Sequence, residues 1–184
     1  MYQFHAVNRA EEVETIFAPG GAAEAFLCAR QEGLVRFLGF SSHSVPVALG
    51  LLDRFHFDFV LFPVNFVCCA RGNFGPQVVE KARERGVACI ALKCLAQAPW
   101  RPSDVRNYPN CWYRPIDDPA LASLALRFSL SEGAVAVLPP GDERLFRMAV
   151  ALAAAATPLE AEERSQLWAT AKTLRPIMTA KKKY

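Results

Sequence analysis

The segment Phe57–Phe66 reads F-D-F-V-L-F-P-V-N-F, and as far as Val64 it is almost wholly apolar. Strands that are buried on both faces, as in parallel sheets, have this composition. A strand with one solvent-exposed face instead alternates polar and apolar residues. The segment therefore predicts an inner strand of a parallel sheet.

Four other segments resemble strands, and helical patterns separate them along the chain. These strands are Met1–Val7, Leu34–Phe40, Val87–Leu92 and Ala134–Leu138. Strands that alternate with amphipathic helices are typical of parallel strands joined by crossover helices. We expect an α/β fold of about five parallel strands and at least five helices, a partial (β/α)8 barrel of the TIM type.

Helix starts and one long loop are also predicted. Asp118 before Pro119 is a plausible N-cap, and Thr157 with Glu160 three residues later forms a capping-box pattern for a final helix. The stretch Pro99–Pro119 holds five prolines, two tryptophans and two tyrosines. We expect it to form a long loop without regular elements, and loops of this kind often cover a site.

The bulk properties favour one soluble domain. The chain has 184 residues, of which 52% are hydrophobic, so residues 1–184 can share one core, with a C-terminal helix and basic tail over 157–184. No apolar run reaches the roughly 18 residues of a membrane span. Met1 leads directly into a strand, so we expect no signal peptide and a cytoplasmic location.

Charge and cysteine content exclude further classes. The formal net charge is only +3, and the Lys181–Lys183 run at the terminus reads as a solvated tail, so no nucleic-acid partner is expected. The six cysteines form no C-x-x-C pair. Buried, reduced thiols are therefore favoured over a metal site or disulfides, and no metal ligand is predicted.

In a parallel βα barrel, the residues that act on ligands lie where each strand ends, at the carboxyl face. In this chain those positions are His5, Ser41–His43, Asn65, Lys93 and Pro139–Asp142.

Five motifs in order carry a family resemblance: Y-Q-F-H-A-V from Tyr2, E-G-L-V-R-F-L-G-F-S-S-H-S from Glu32, F-D-F-V-L-F-P-V-N-F from Phe57, R-G-V-A-C-I-A-L-K-C-L from Arg85, and A-V-A-V-L-P-P-G-D-E-R from Ala134. In this order and spacing they resemble strands four to eight of an aldo-keto reductase. The resemblance runs from about Tyr2 to Ala156. It implies an NADP(H)-dependent oxidoreductase that reduces a small-molecule carbonyl substrate.

The resemblance also implies roles for the residues of the first two strand ends. His5 matches the family's catalytic histidine, which orients the carbonyl oxygen. Without the resemblance, the favoured interpretation is that His5 merely ends a strand and bonds to a nearby backbone group. Ser41 matches the serine that binds the nicotinamide amide, and Ser42 follows it. His43 is either a substitute polar contact or a solvent-facing loop residue.

The cofactor's phosphates are assigned to the last two strand ends. Lys93 could meet a phosphate or extend out of the barrel mouth. Gly141 and Asp142 open a helix, whose free N–H groups attract anions, and Arg144 matches the family's 2′-phosphate arginine. Asp142 could instead be an N-cap, and its negative charge opposes an anion. The expected cofactor is NADP(H), with reduced affinity.

The family's proton-donating tyrosine, with its lysine and aspartate, lies before the histidine strand, and no residue here matches them. The chain would be truncated by three βα units, so we expect little activity from it alone. Exposed sheet edges would favour a homo-oligomer, a complementing N-terminal half or a rearranged sheet. The alternative function is a non-catalytic half-barrel that serves as a binding or assembly module.

Overall fold

A computed structural model describes residues 1–180 of the chain. The predicted basic run Lys181–Lys183 lies outside the described residues. Contacts between residues divide the chain into two compact units. The first unit contains Met1–Phe62 and Gln77–Ile90, and the second contains Pro63–Pro76 and the described residues from Ala91 onward. The prediction of a single domain stays a prediction.

The strands are as follows: β1 (Tyr2–Phe4), β2 (Leu38–Ser41), β3 (Phe59–Pro63), β4 (Ala88–Leu92), β5 (Ala96–Pro99), β6 (Tyr113–Pro115) and β7 (Ala134–Val137). Five of them form one parallel sheet in the order β1-β2-β3-β4-β7. Tyr2 of β1 lies opposite Leu38 of β2, and Gly39 of β2 lies opposite Phe59 of β3. The α/β class and the partial barrel predicted from the sequence are confirmed.

The helices are as follows: α1 (Ala10–Phe17), α2 (Ala22–Gln31), α3 (Val45–Arg54), α4 (Phe66–Gly72), α5 (Pro76–Glu84), α6 (Pro119–Ser131), α7 (Glu143–Ala154) and α8 (Ala161–Thr173). The predicted N-cap of α6 is confirmed, because the Asp118 carboxylate accepts a hydrogen bond of 2.8 Å from the Leu121 N–H. No helix within residues 1–180 is long and apolar enough to cross a membrane.

Aromatic rings fill the core of the first unit. The Phe4 and Phe26 rings stack with centroids 4.0 Å apart, and Phe40 and Phe57 meet at 4.8 Å. Gly39 allows this packing, since a Cβ atom at that position would lie 2.5 Å from the Phe59 ring. The backbone of β2 must therefore lie directly beneath the Phe59 side chain.

Helix α6 forms the centre of the second unit. Its residues Ala125, Leu126 and Phe128 are fully buried, and the Phe128 ring meets the Trp168 ring of α8 edge-on at 5.4 Å. The hydroxyl of Ser129 donates to the Val64 carbonyl at 2.7 Å, so that a buried polar group is satisfied. These contacts hold α6 against α8 and against Val64.

Three expectations about elements were wrong. The Pro99–Pro119 stretch was expected to lack regular elements, but it contains β6, which pairs antiparallel with β5 through a bulge between Ala96 and Ala98. Proline is tolerated there because this two-stranded ribbon consists only of edge strands. Helices α1 and α4 were not predicted as helices at all.

Helix α8 starts later in the chain than the sequence predicted. Thr157 does not cap it, since the N-cap is Glu160, and the Thr157 carbonyl accepts a hydrogen bond of 2.8 Å from Arg127 Nε. The helix begins at Ala161 instead, where the Glu160 N–H donates to the Glu163 carboxylate at 2.8 Å. A buried arginine therefore holds the preceding segment outside the helix.

Candidate functional site

The ends of β1 and β2 bring three of the predicted site residues together in the first unit. His5 follows β1 directly and is exposed. Ala6, the next residue, has a left-handed backbone with φ of 53°. Its N–H donates to Ser41 Oγ at 2.8 Å, and the Val7 N–H donates to the Ser41 carbonyl at 2.9 Å. The chain that carries His5 is therefore tied to Ser41 by two hydrogen bonds.

Ser41 and Ser42 are both buried but differ in how their hydroxyls are used. The Ser41 hydroxyl accepts the bond from Ala6 and, like any hydroxyl, still has a proton to donate. The Ser42 hydroxyl accepts from the Ser44 N–H at 3.0 Å and so closes the turn into α3. Asn8, which the sequence analysis did not single out, accepts from the His43 N–H at 2.6 Å through its side-chain oxygen. The sequence signal that could have identified Asn8 is its position just past the end of a strand.

His5 lines an open cleft of about 450 Å³ between the end of β1 and helix α1. The Glu12 carboxylate in this cleft has its pKa held below the ordinary value, mainly by the Asn8 N–H and the Arg9 side chain. Glu12 is therefore charged and already bonded to its neighbours. The cleft is lined by Phe4, His5, Val7, Arg9, Glu11, Glu12, Thr15 and Ile16.

In the second unit, Lys93 follows β4 in a left-handed conformation with φ of 62°. Asn65 holds this turn: its side-chain amide donates to the Lys93 carbonyl at 3.0 Å and to the Ala96 carbonyl at 2.8 Å. The same side chain caps α4 by accepting from the Val67 and Cys68 N–H groups. Asn65, predicted among the strand-end residues, is thus a buried residue that stabilises the Lys93 turn and the start of α4 by hydrogen bonds.

Lys93 and Gly141 are two predicted site residues that share one cleft, of about 230 Å³. The Lys93 ammonium lies 5.5 Å from the Trp112 ring centroid and 5.7 Å from that of Tyr113. Burial lowers the pKa of this amine. Pro139 and Pro140 line the cleft too, so its wall has rings and few backbone donors.

Asp142 and Arg144 pair with each other at the start of α7. The Asp142 carboxylate accepts from Arg144 Nε and from a second guanidinium nitrogen, each at 3.0 Å, and also from the Arg144 N–H at 3.0 Å. The guanidinium also lies over the Tyr108 ring, 4.5 Å from its centroid. This pairing holds the pKa of Asp142 below its ordinary value and raises that of Arg144. The alternative interpretation of Asp142 as an N-cap is confirmed.

The six cysteines differ in burial, which affects the reactivity of their thiols. All six cysteines are free thiols, and burial raises the pKa of Cys69, Cys89 and Cys94 to about 12. Such thiols are neutral and unreactive. Within residues 1–180, no group of three or more His, Cys, Asp or Glu side chains is placed to hold a metal ion.

No protein-family model and no curated protein matches the chain. Solved structures do match it. The holo form of an aldo-keto reductase from Bacillus halodurans aligns with 92% of the chain at a TM-score of 0.59 and 22% identity. A Bombyx mori aldo-keto reductase in complex with NADP aligns with 91% at 0.54 and 18%, and an aldo-keto reductase from Brucella melitensis with 92% at 0.54 and 13%.

These likenesses establish the fold. The chain spans 57%, 55% and 60% of the lengths of the three matched structures. It has the fold of part of an aldo-keto reductase barrel, as the five sequence motifs predicted.

Proposed function

We propose that this chain carries the histidine and part of the cofactor site of an NADP(H)-dependent aldo-keto reductase, an oxidoreductase of small carbonyl compounds in the cytoplasm. The observation that carries the proposal is the fold, which aligns over 92% of the chain with aldo-keto reductases. One such neighbour is described in complex with NADP. The sequence motifs at the strand ends indicate which residues would form the proposed site.

His5 and Ser41 would serve the reacting end of the site. NADPH, when bound, would supply the hydride. The exposed imidazole of His5 can hydrogen-bond a carbonyl oxygen and orient it, because the backbone behind it is fixed to β2 through Ser41. Ser41 has a hydroxyl proton for an amide carbonyl, whereas the Ser42 hydroxyl is used in its own turn.

The phosphate end fits the cofactor less well. A 2′-phosphate would need the guanidinium of Arg144, but the Asp142 carboxylate already accepts from two of its nitrogens. Two anions on one guanidinium repel each other, so an incoming phosphate must displace Asp142. Lys93 and Gly141 line one cleft, where the first offers a cation and the second a backbone without a side chain. We therefore propose weak NADP(H) binding.

The proton source is the weakest part of the site. Among residues 1–180, no tyrosine lines the cleft beside His5. Tyr2 packs on Phe26, Tyr108 donates to the Asp117 carboxylate, and burial raises the pKa of Tyr113 well above its ordinary value. General acid catalysis contributes about 100-fold to 10,000-fold. We propose that this chain reduces carbonyls slowly unless a complementing N-terminal half supplies the acid.

The test is a titration of the purified chain with NADPH, followed by nicotinamide fluorescence, beside an Arg144→Leu variant. The proposal expects saturable binding that Arg144→Leu weakens by about tenfold, as expected for the loss of a charge-assisted phosphate contact. A His5→Ala variant should bind NADPH as the parent does and lose the residual reduction of an aromatic aldehyde. The proposal is contradicted if the chain shows no saturable NADPH binding, or if Arg144→Leu leaves the NADPH affinity unchanged.

A non-catalytic assembly module is the second candidate, and the Asp142–Arg144 pair favours it. The Asp142 carboxylate already pairs with Arg144 at 3.0 Å and so competes with a cofactor's phosphate for this guanidinium. Apolar side chains are also exposed, among them Val135 on β7 and Phe146 on α7, as on a surface that meets another chain. Self-association without NADPH binding would support this candidate over the first.

A further inference from the structure

The Lys93 amine differs from the other described lysines in its surroundings. Lys81 is paired with the Asp53 carboxylate at 2.6 Å, and Lys172 is exposed on the last turn of α8. Lys93 is half-buried and faces the rings of Trp112 and Tyr113 in the 230 Å³ cleft. Within residues 1–180 no carboxylate lies at ion-pair distance from it, and burial is the main influence on the pKa of its amine, which it lowers.

The backbone holds this amine in place. Lys93 adopts a left-handed conformation with φ of 62°, which is unfavourable for a residue with a Cβ. The turn persists because the Lys93 carbonyl accepts from Asn65 at 3.0 Å and from the Ala96 N–H at 2.9 Å. Strain that the surrounding structure maintains in this way is typical of functional positions.

The cleft favours a neutral amine at Lys93, and it also favours a small cation formed from that amine. Burial without a counter-ion disfavours the ammonium and so leaves more of the nucleophilic free amine. The ring faces of Trp112 and Tyr113 attract a delocalised cation beside them. Cys111, the other nucleophile in the cleft, is 3% exposed, and burial with the nearby Asp142 charge raises its pKa. The amine is therefore the reactive group.

We propose that Lys93 is a nucleophilic amine that condenses with small aldehydes inside this cleft to form an imine. The Nζ lone pair forms a bond to the carbonyl carbon, and the carbonyl π electrons move to the oxygen, which takes up a proton. Loss of water, with release of a proton from nitrogen, then leaves a C=N bond. The cleft is below the ~300–1,000 Å³ of drug-sized pockets, so the aldehyde is a small one, and an aromatic aldehyde can stack on Trp112.

The imine proposal uses the same Lys93 amine that the NADP(H) proposal offers to a phosphate, but it can be tested independently because imine formation needs no nicotinamide. The test incubates the full chain, at neutral pH, with benzaldehyde and sodium cyanoborohydride, which reduces the imine to a stable secondary amine. Peptide mass spectrometry then gives the labelling rate at each lysine. We expect Lys93 to be labelled about tenfold faster than Lys172. A rate at Lys93 less than about threefold that at Lys172 would overturn the proposal.

Two variants separate the cleft from the general reactivity of lysines. Lys93→Arg keeps the charge and must remove the fast label. Trp112→Leu removes one ring while Lys93 stays, and we expect labelling at Lys93 to slow about fivefold with no change at Lys172. An unchanged rate at Lys93 in Trp112→Leu would rule out the cleft. Protection of Lys93 by added NADPH would test the cofactor proposal separately, since the label itself is measured without NADPH.

Discussion

At the scale of single residues, Asp142 decides how well Arg144 can receive a phosphate. Replacing Asp142 by Ser keeps an N-cap oxygen for α7 but removes the anion that now pairs with the guanidinium. We expect Asp142→Ser to tighten NADPH binding by about tenfold, because one like charge leaves the phosphate site, and to tighten NADH binding far less. Nicotinamide fluorescence titrations with both nucleotides measure this.

Glu143 provides the matched control for that substitution. Its carboxylate is equally close in sequence but pairs with Arg147 at 2.7 Å. Glu143→Gln therefore removes the same charge without freeing Arg144. If Glu143→Gln and Asp142→Ser change NADPH affinity equally, the effect is a general one of net charge, and Arg144 does not bind the phosphate.

Asn65 shows how a strand-end residue can act through the backbone alone. It is 1% exposed and satisfies two N–H groups of α4 and the carbonyls of Lys93 and Ala96. We expect Asn65→Ala to lower the free energy of unfolding by about 3 kcal/mol, since a cap contributes ~1 kcal/mol and each buried unsatisfied group costs ~1–3 kcal/mol. Urea denaturation measures this, with exposed Asn110→Ala as a control expected to change little. A loss for Asn65→Ala as small as that of the control would mean that water replaces these bonds.

Residue types at strand ends were predictable, but their partners were not. The positions of His5, Ser41 and Lys93 follow from the period of the sheet and the place where each strand ends. That Asp142 accepts from Arg144, or that Asn8 accepts from the His43 N–H, depends on side-chain rotamers and on turns with left-handed residues such as Ala6. Alanine is an unusual residue for that conformation, so nothing in the sequence marked the turn.

At the scale of elements, the sequence predicted long periodic segments and missed short ones. Helix α4 continues the apolar run of β3 with no change of period, so only its caps, Asn65 and the left-handed Asn73, mark it. Helix α1 follows a strand within a few residues, and only Val13 in it is buried. The β5–β6 ribbon was missed because it contains prolines, which are unfavourable in most strands.

The ion pair between α6 and α8 predicts how the chain responds to acid. Arg127 donates to the Glu163 carboxylate at 2.7 Å and to the Pro158 carbonyl at 2.6 Å. Its side chain holds the pKa of Glu163 below the ordinary value of 4.5. A carboxylate whose pKa is lower in the folded state stabilises the fold at pH values above its unfolded-state pKa. This stabilisation is lost as the pH falls through its folded-state pKa.

We therefore expect the urea midpoint of the parent chain to fall as the pH drops below about 4.5, and to fall less steeply in Glu163→Gln, which has no proton to gain there. Glu162→Gln is the control, because Glu162 lies in the same helical turn and is exposed. Parallel acid profiles for the parent and Glu163→Gln would show that the pair does not couple folding to pH.

At the scale of the whole molecule, the sheet has two terminal strands, β1 and β7, each paired on one side only within the described chain. Val135 on β7 is 66% exposed and Phe146 on α7 is 51% exposed. Parallel sheets normally have both faces covered and their edges paired, so these surfaces should associate in water. We expect the purified chain to form oligomers whose mass rises with concentration in sedimentation velocity.

A double variant, Val135→Lys with Phe146→Lys, should shift the chain towards the monomer, because burying two ammonium groups in an interface is costly. Val105→Lys serves as the control, since Val105 is 79% exposed on the loop before β6 and lies outside the sheet. A parent chain that stays monomeric at every concentration would mean that these apolar surfaces are tolerated in water. The case for an assembly role would then fail, and the case for a complementing half would have to rest on catalysis alone.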